Sequence, residues 1–518
     1  MSDTPEWWKT AIVYQIYPRS FQDTTGSGVG DLDGIAGRLE HVRDLGADAI
    51  WISPIFPSPM KDAGYDVSDY SGIEPSFGTM DGFEALVRRA HDLHLRVLLD
   101  FVPSHSSDRH PWFRAARRSR DDPRRDWYVW RDAGADGGPP NNWISEFGGP
   151  AWTWDEATSQ YYLNIYAREQ PALNWRNPEL RATMYDVMRG WFDRGVDGFR
   201  VDAVEHLAPD DRLRDNLPNP DWREGGEPAR ALLRTHTAHQ PEVFEFVREM
   251  RRVADEYPGR VLIGEAYGTI EEVMRYYGEA GDGFHLPFNF ALITAAWDPL
   301  EIADYVDAYE AALPPGGWPN WVLGNHDRSR VATRFGPDQA RVAAMLLLTL
   351  RGTPTLYQGD ELGMIDEVVP PEMVQDPWAL NNPGSGLGRD PVRIPMPWDD
   401  GPGRGFTAGT PWLPLSTVPS VEAQSHDRGS MLHFYRRLVA LRREMPALDR
   451  GAYARLHADP SVLAFSRSFE DQNVAVALNF TAREQPLPVS GTPVLSTHGD
   501  GRPGAATLRP HEGLVLVM

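Results

Sequence analysis

The stretch VDGFRVDA, residues 196–203, is a short apolar run that ends in an arginine and an aspartate. Seven similar runs, rich in β-branched and aromatic residues, are predicted to be strands: residues 11–17, 48–55, 95–102, 261–267, 284–290, 320–325 and 353–359. Segments of helical periodicity, such as 81–95 and 241–256, separate the runs. Strands that alternate with helices indicate an α/β fold with a parallel sheet. Eight such units favour a closed (β/α)8 TIM barrel over a doubly wound sheet.

Two parts of the chain break this alternation. Residues 103–175, between the third and fourth predicted strands, are too long for a connecting loop and indicate a small inserted domain. Residues 450–518 contain alternating apolar runs without helices, as antiparallel strands do. We therefore predict a barrel in two parts, an insert and a C-terminal antiparallel β-sandwich, with limits 1–103, 104–175, 176–449 and 450–518.

The composition is that of an acidic chain without cysteine. Its 518 residues include 74 acidic and 51 basic side chains, a net charge of −23. This balance argues against nucleic acid or an anionic membrane as a partner, because both bind basic surfaces. The lack of cysteine excludes disulfides and thiolate metal sites. The N-terminal residues show no secretory pattern and the longest apolar run, 342–350, is too short to span a membrane, so we expect a cytoplasmic protein.

Charged side chains collect where the predicted strands end, which is the side of a barrel that carries active sites. Arg200 and Asp202 close the fourth strand, Glu265 closes the fifth, and Asp327 follows the seventh. Taken singly, each has an ordinary structural explanation, such as a helix cap or an ion pair. Three carboxylates at one rim are harder to explain in that way, because buried carboxylates are costly without partners.

Paired carboxylates at a barrel mouth suit the cleavage of acetals. One attacks the anomeric carbon, while a protonated partner donates its proton to the leaving oxygen. Arg200 and Asp202 lie two residues apart on a strand and share a face, so the guanidinium should keep Asp202 ionised. The apolar run before Glu265 should raise the pKa of its carboxyl, which suits a general acid. Asp327 would supply a second fixed negative charge.

Hydrogen-bond donors and aromatic rings are expected beside these carboxylates. His105, Asn325 and His326 follow the third and seventh strands and can donate to sugar hydroxyls. Aromatic rings suit stacking on sugar faces, and those expected at the rim are Tyr65, Trp112, Trp143, Phe147 and Trp154.

Taken together, the motifs resemble the α-amylase superfamily, glycoside hydrolase family 13, in its α-glucosidase and oligo-1,6-glucosidase branch. The resemblance covers nearly the whole chain in order. It is carried by WWKTAIVYQIYPRSF (7–21), GDLDGI (30–35), GYDVSDY (64–70), DFVPSHSS (100–107), DGFRVDA (197–203), IGEA (263–266), GNHDRSR (324–330), YQGDELGM (357–364) and GRDPVRIPMPWDD (388–400). It implies a barrel with an insert after strand three and a C-terminal β-sandwich, and a retaining enzyme that removes terminal glucose from α-glucosides.

The resemblance also implies residue roles. Asp202 corresponds to the nucleophile, Glu265 to the acid/base and Asp327 to the third carboxylate. The glucosyl subsite would be lined by Tyr65, His105, Arg200 and His326.

Two further positions bear on specificity by the same resemblance. Asp62 would hold the hydroxyls of the non-reducing end, paired with either Arg389 or Arg393, and the sequence leaves that choice open. Ala203, directly after the nucleophile, resembles enzymes that prefer α-1,4 bonds. The expected partners are therefore maltose, malto-oligosaccharides and other α-glucosides, while the oligomeric state is left open.

The resemblance also implies a metal-binding loop, which this sequence retains only in part. The family's loop after strand one often reads D-x-N-x-D-G-x-G-D and binds calcium or magnesium. Its ligand positions fall here on Asp23, Thr25, Ser27, Val29 and Asp31, so two family ligands have become hydroxyl residues. We expect no required cofactor and, at most, a weakly held Ca²⁺ or Mg²⁺ in this loop.

Rival functions remain within and beyond the family. A trehalose synthase-like isomerase, a sucrose-acting enzyme or another transglucosidase would share the same three carboxylates. A non-catalytic relative acting as a scaffold would carry a transmembrane helix and lack those carboxylates, and this sequence shows neither feature.

Overall fold

The computed structural model describes residues 6–502 and 504–518 and contains a closed parallel barrel. Its eight strands are Val13–Ile16, Ala49–Ile52, Arg96–Phe101, Gly198–Val201, Val261–Gly264, Leu286–Asn289, Asn320–Val322 and Thr353–Tyr357. Consecutive strands are neighbours, and the eighth pairs with the first, with Val13 beside Thr355. Each predicted strand contains one of these, so the predicted barrel is confirmed.

Helices follow the barrel strands. The α-helices in the described residues are Trp7–Thr10, Leu32–Gly37, Leu39–Leu45, Met80–Asp92, Pro111–Ala116, Pro178–Phe192, Pro241–Asp255, Ile270–Arg275, Ala291–Thr294, Pro299–Ala312, Val331–Phe335, Pro337–Thr349, Pro377–Asn381, Val421–His426, Met431–Glu444 and Pro446–Arg450. Helix Met80–Asp92 buries Phe83, Leu86, Val87 and Ala90, which recur at helical spacing and so form one apolar face. The helical periodicities read from the sequence therefore match real barrel helices.

The insert lies between the third strand and helix Pro178–Phe192. It contains a three-stranded antiparallel sheet in which Gln160–Leu163 pairs with both Trp130–Arg131 and Trp152–Asp155. A bridge between His105 and Ala172 ties the end of the insert to the segment that follows strand three. The insert is thereby held beside the carboxyl ends of the barrel strands.

The C-terminal region is an antiparallel sheet of five strands, Ala452–Ala458, Val462–Phe469, Gln472–Asn479, Thr492–Ser496 and Gly513–Val517. One face, with Phe465 and Val476, joins the main core of the barrel. The other face lies under Leu508, which belongs to a two-stranded ribbon, Gln485–Pro486 with Thr507–Leu508. The predicted antiparallel domain is confirmed, although the second layer of the sandwich is only this ribbon.

Three further predictions concern a membrane-spanning helix, the cellular location and the domain limits. Across residues 6–502 and 504–518, no helix is both long and apolar enough to cross a membrane. The cytoplasmic location and the domain limits at 103, 175 and 449 stay predictions.

Candidate active site

A cavity at the carboxyl ends of the barrel strands brings together the three predicted catalytic carboxylates. Asp202 follows strand four, Glu265 follows strand five, and Asp327 follows strand seven. The rest of the lining comes from the insert and from long loops: Asp62, Tyr65, His105, Glu146, Phe147, Tyr166, Glu205, Glu227, Arg230, Arg234, Tyr267, Arg328, Trp378 and Arg389. Because side chains from separate strands and loops converge here, this cavity is the candidate active site.

Arg200 holds two of the carboxylates beside each other. Its fully buried guanidinium binds Asp202 Oδ1 through Nη1, and its Nη2 lies 2.6 Å from Glu265 Oε2. Asp100, on strand three, accepts a hydrogen bond from Nη1 at 2.8 Å and fixes the guanidinium from behind. Since both contacts use one planar group, Asp202 and Glu265 reach the same part of the cavity. Two carboxyl groups acting on one glycosidic bond need such an arrangement.

The two carboxyl groups differ in acidity. Burial raises the pKa of Glu265 to about 8 and that of Asp202 to about 7, against the opposing charge of Arg200 in both cases. The raised pKa of Glu265 suits a general acid, while the charge of Arg200 favours the ionised form of Asp202 that a nucleophile needs.

The chain turns sharply at Ala203, directly after Asp202. Its φ of 45° and ψ of 38° are left-handed, a conformation that residues with a Cβ rarely adopt. The turn directs the N–H of Ala203 to Glu265 Oε2 at 2.9 Å. The Ala203 side chain is buried and does not belong to the residues that line the cavity. Its most direct link to the chemistry is thus the backbone contact with Glu265.

Asp327 is held in its ionised form. Its Oδ1 lies 2.8 Å from Arg393 Nη2 and 3.2 Å from Arg389 Nη1, and its Oδ2 lies 3.3 Å from His326 Nε2. The positive charges of Arg389 and Arg393 oppose the effect of burial and hold the pKa of Asp327 well below its usual range. Asp327 therefore stays negative while Glu265 and Asp202 titrate.

Arg389 forms a charged wall at one end of the cavity. Its Nη2 lies 2.6 Å from both Asp62 Oδ1 and Asp376 Oδ1, and its Nε donates to Asp376 at 3.0 Å. Asp62 is thus paired with Arg389, the choice that the sequence left open. Arg393 instead contacts Asp327 and donates to the carbonyl oxygen of His326 at 2.9 Å.

Neutral polar groups line the same end. The Tyr65 hydroxyl lies 2.7 Å from His326 Nε2, and the two rings stack. Gln170 donates to Asp62 at 3.0 Å and lies 2.9 Å from His105 Nε2. Burial lowers the pKa of His105 to about 4 and that of His326 well below its ordinary value. Both imidazoles are therefore uncharged at neutral pH and can act as hydrogen-bonding groups.

The aromatic predictions divide into two groups. Tyr65 and Phe147 line the cavity, and the Arg389 guanidinium lies 4.8 Å from the Phe147 ring. The other three were wrong, because their rings pack on neighbouring rings within the insert: Trp112 on Trp127, Trp143 on Trp152, and Trp154 on Tyr161. The aromatic lining comes instead from Tyr166, Tyr267 and Trp378.

The loop with the implied metal positions is closed by hydrogen bonds. Asp23 accepts from the N–H groups of Thr25, Gly26 and Gly28 at 2.8–2.9 Å. Asp31 accepts from Thr24 N and Gly34 N at 2.7 Å.

Hydroxyl groups complete the same network. The Thr407 hydroxyl also donates to Asp23, and Ser27 donates to the carbonyl of Val29 at 3.1 Å. Hydrogens thus point at the oxygens that a cation would need, so these residues as placed do not fit calcium or magnesium. The part of the chain that the structure describes holds no group of three or more His, Asp or Glu arranged for a metal ion.

Several functional contacts were missed in the sequence. Asp100 lies one residue before the end of strand three, and the pairing of strands three and four sets it directly beside Arg200, a register that the sequence did not reveal. Asp376 and Gln170 lie in irregular segments without periodicity. Glu227 and Arg328 meet at 3.3 Å although they are 101 residues apart, a contact that no local pattern signals.

Comparison with known proteins agrees with this geometry. A family model described as "Alpha amylase, catalytic domain" matches residues 15–451. A probable alpha-glucosidase of Rhizobium meliloti is 41% identical over 95% of this chain and 93% of its own length. An oligo-1,6-glucosidase of Halalkalibacterium halodurans is 37% identical over 99% of both chains.

Solved structures give the same result. The alpha-glucosyl transfer enzyme XgtA superposes with a TM-score of 0.95 at 40% identity, covering 99% of this chain and 100% of its own. A trehalulose synthase gives 0.92 at 32% identity with the same coverage. The chain therefore belongs to the alpha-amylase family and is a glycoside hydrolase of its α-glucosidase branch.

Proposed function

We propose that the protein is a retaining, exo-acting α-glucosidase that hydrolyses terminal α-glucosidic bonds, preferably α-1,4, of maltose and short oligosaccharides. The observation that carries this proposal is the pair Asp202 and Glu265 on one guanidinium, in a cavity walled at one end by Asp62 and Arg389. The names of its relatives, alpha-glucosidase and oligo-1,6-glucosidase, support the same substrate class.

The chemistry follows from the protonation states. Ionised Asp202 attacks the anomeric carbon while Glu265 gives its proton to the glycosidic oxygen, so the bond from carbon to that oxygen breaks. Water then attacks the anomeric carbon of the glucosyl-Asp202 ester, the bond from that carbon to Asp202 breaks so that Asp202 leaves as a carboxylate, and Glu265 takes the proton from the water. Asp327, ionised throughout, stabilises the positive charge that develops on the sugar in each transition state.

The charged wall explains why exo action is proposed. Asp62 and Arg389 are nearly fully buried and bound to each other, so a chain cannot continue past them. A terminal glucosyl unit can place its hydroxyls against this carboxylate and guanidinium, which are strong hydrogen-bonding groups. The reaction would then release one glucose from each cleaved end.

A second candidate function is glucosyl transfer or isomerisation. It is favoured by the structural neighbours, one an alpha-glucosyl transfer enzyme and another a trehalulose synthase. The same residues would serve, with a sugar hydroxyl in place of water as the attacking group.

Incubation with maltose separates these candidates. Hydrolysis gives glucose alone, two molecules for each maltose consumed. Transfer gives trisaccharides, and isomerisation gives a new disaccharide without net glucose. A Glu265→Gln variant serves as the blank, because it lacks the general acid. If new sugars dominate the products at low maltose concentration, the hydrolytic proposal is wrong.

We further propose that activity needs no metal. Support comes from Asp23, whose carboxylate oxygens are occupied by N–H and O–H donors. The rate of maltose hydrolysis should therefore survive exhaustive treatment with EDTA. Loss of activity that added calcium restores would show that the loop binds a functional ion.

A further inference from the structure

Glu227 and Arg328 form an ion pair in the wall of the catalytic cavity. Glu227 precedes the short 3₁₀ helix Pro228–Ala231, in the long segment after strand four. Arg328 directly follows Asp327, after strand seven. Arg328 Nη1 lies 3.3 Å from Glu227 Oε1, and both side chains line the cavity. The pair thus joins two loops that belong to separate sectors of the barrel.

Neighbouring side chains contact each member of the ion pair. The Arg328 guanidinium lies 5.8 Å from the ring centres of Tyr267 and Trp378, within range of a cation–π contact with each. Glu227 Oε2 also lies 3.4 Å from Arg230 Nε. We call Glu227, Arg230, Tyr267 and Arg328 the partition.

A second cleft of about 660 Å³ shares a wall with the catalytic cavity, because Arg230, Arg234 and Tyr267 line both. Glu227 and Arg328 line only the catalytic cavity, and each contacts a residue of the shared wall, Arg230 and Tyr267 respectively. The remaining walls mix apolar and hydrogen-bonding groups, among them Leu232, Thr235, Thr269, Asn289 and Phe290. The Phe290 ring stacks on Tyr267 with centroids 4.3 Å apart. An aromatic face beside amide and hydroxyl groups suits a sugar ring, and the volume is that of an ordinary ligand site.

We propose that the Glu227–Arg328 ion pair closes the catalytic cavity against the second cleft and so limits the enzyme to short substrates. The inference rests on the proposed α-glucosidase function and adds its chain-length selection. While the pair is formed, a sugar bound next to the scissile bond meets Glu227, Arg230 and Arg328. When it opens, the two cavities join, and the chain of a longer oligosaccharide can extend over Tyr267 and Phe290.

A double-mutant cycle tests the partition. The measured quantity is the ratio of kcat/KM for maltotetraose to kcat/KM for maltose, in the parent, Glu227→Gln, Arg328→Gln and the double variant. A partly exposed ion pair is weak, so each single variant should raise the ratio by about threefold to fivefold. The double variant should match a single one, because either change removes the same contact.

Controls make the result decisive. Glu224→Gln should leave the ratio unchanged, since Glu224 is exposed in the same segment and outside the cavity lining. Raising NaCl to screen charges should increase the ratio in the parent but not in Glu227→Gln, a test that needs no altered fold.

The outcomes separate the two proposals. Unchanged ratios in both single variants, or effects that multiply in the double variant, overturn the partition while maltose hydrolysis stands. A parent that leaves both sugars intact overturns the proposed function and the partition together.

Discussion

Two ion-paired parts of the catalytic cavity are built differently. In the wall formed by Arg389, which we call the glucosyl end, the side chains of Arg389, Asp62 and Asp376 are 8%, 4% and 0% exposed and hold one another in short ion pairs. Elsewhere in the lining, Arg328 and Glu227 are 22% and 29% exposed and meet at 3.3 Å. A buried, paired charge is costly to disturb, whereas a pair that is partly exposed to solvent contributes on the order of 1 kcal/mol. We therefore expect the glucosyl end to determine which sugar is bound, and the Glu227–Arg328 pair to set the length of chain that this sugar can carry.

The largest expected effect is at Asp202, the proposed nucleophile. Asp202→Asn should lower kcat for maltose by a factor of about 10⁴ or more, because the amide cannot form the glucosyl ester. The melting temperature should change little, since the side chain keeps its shape beside Arg200. Asp211→Asn, an exposed carboxylate in the following loop, is the control and should keep parental activity. Activity above about 1% of the parent in Asp202→Asn contradicts its role.

The next effect tests the rigid glucosyl end. Arg389→Lys keeps the charge but loses the fork that binds Asp62 and Asp376 together, so kcat/KM for maltose should fall by about 100-fold. Arg214→Lys is the matched control, because Arg214 makes a two-pronged contact with Asp210 outside the cavity. Equal losses in the two variants would mean that the Arg389 wall has no special part in binding.

A smaller effect concerns linkage. Ala203→Val should lower the preference for maltose over isomaltose, measured as the ratio of kcat/KM values, by about tenfold. The left-handed backbone at Ala203 complicates this variant, since a β-branched residue is strained there and Ala203 N–H holds Glu265. Ala203→Ser, unbranched at Cβ, is the companion variant. If both kcat/KM values fall together with no change in ratio, Ala203 acts by positioning Glu265 and not by selecting the linkage.

Some site residues follow regular strands and others lie in irregular loops, and this difference explains how far the site could be predicted from the sequence. Asp202 and Glu265 could be found because each follows a regular strand, and the barrel rule says where strand ends meet. Asp62 was found only through the family resemblance, and its partner Arg389 became certain only in three dimensions. Asp376, Glu227 and Arg328 lie in irregular loops or pair across about a hundred residues, so neither periodicity nor spacing signals their contacts. The prediction for Trp112, Trp143 and Trp154 was wrong because an insert can use aromatic rings for its own core, and the sequence does not show which rings face the cavity.

We propose that Asp202 and Glu265 carry out a double displacement with retained configuration. The most direct measurement is proton NMR of glucose released from p-nitrophenyl α-D-glucoside during the first minutes of hydrolysis, before mutarotation mixes the anomers. This aglycone is not a sugar, so every glucose comes from the cleaved glucosyl unit. The α-anomer should accumulate first, and the β-anomer should appear only at the rate of mutarotation. Initial accumulation of the β-anomer would contradict the assignment of Asp202 as a nucleophile and indicate direct attack by water.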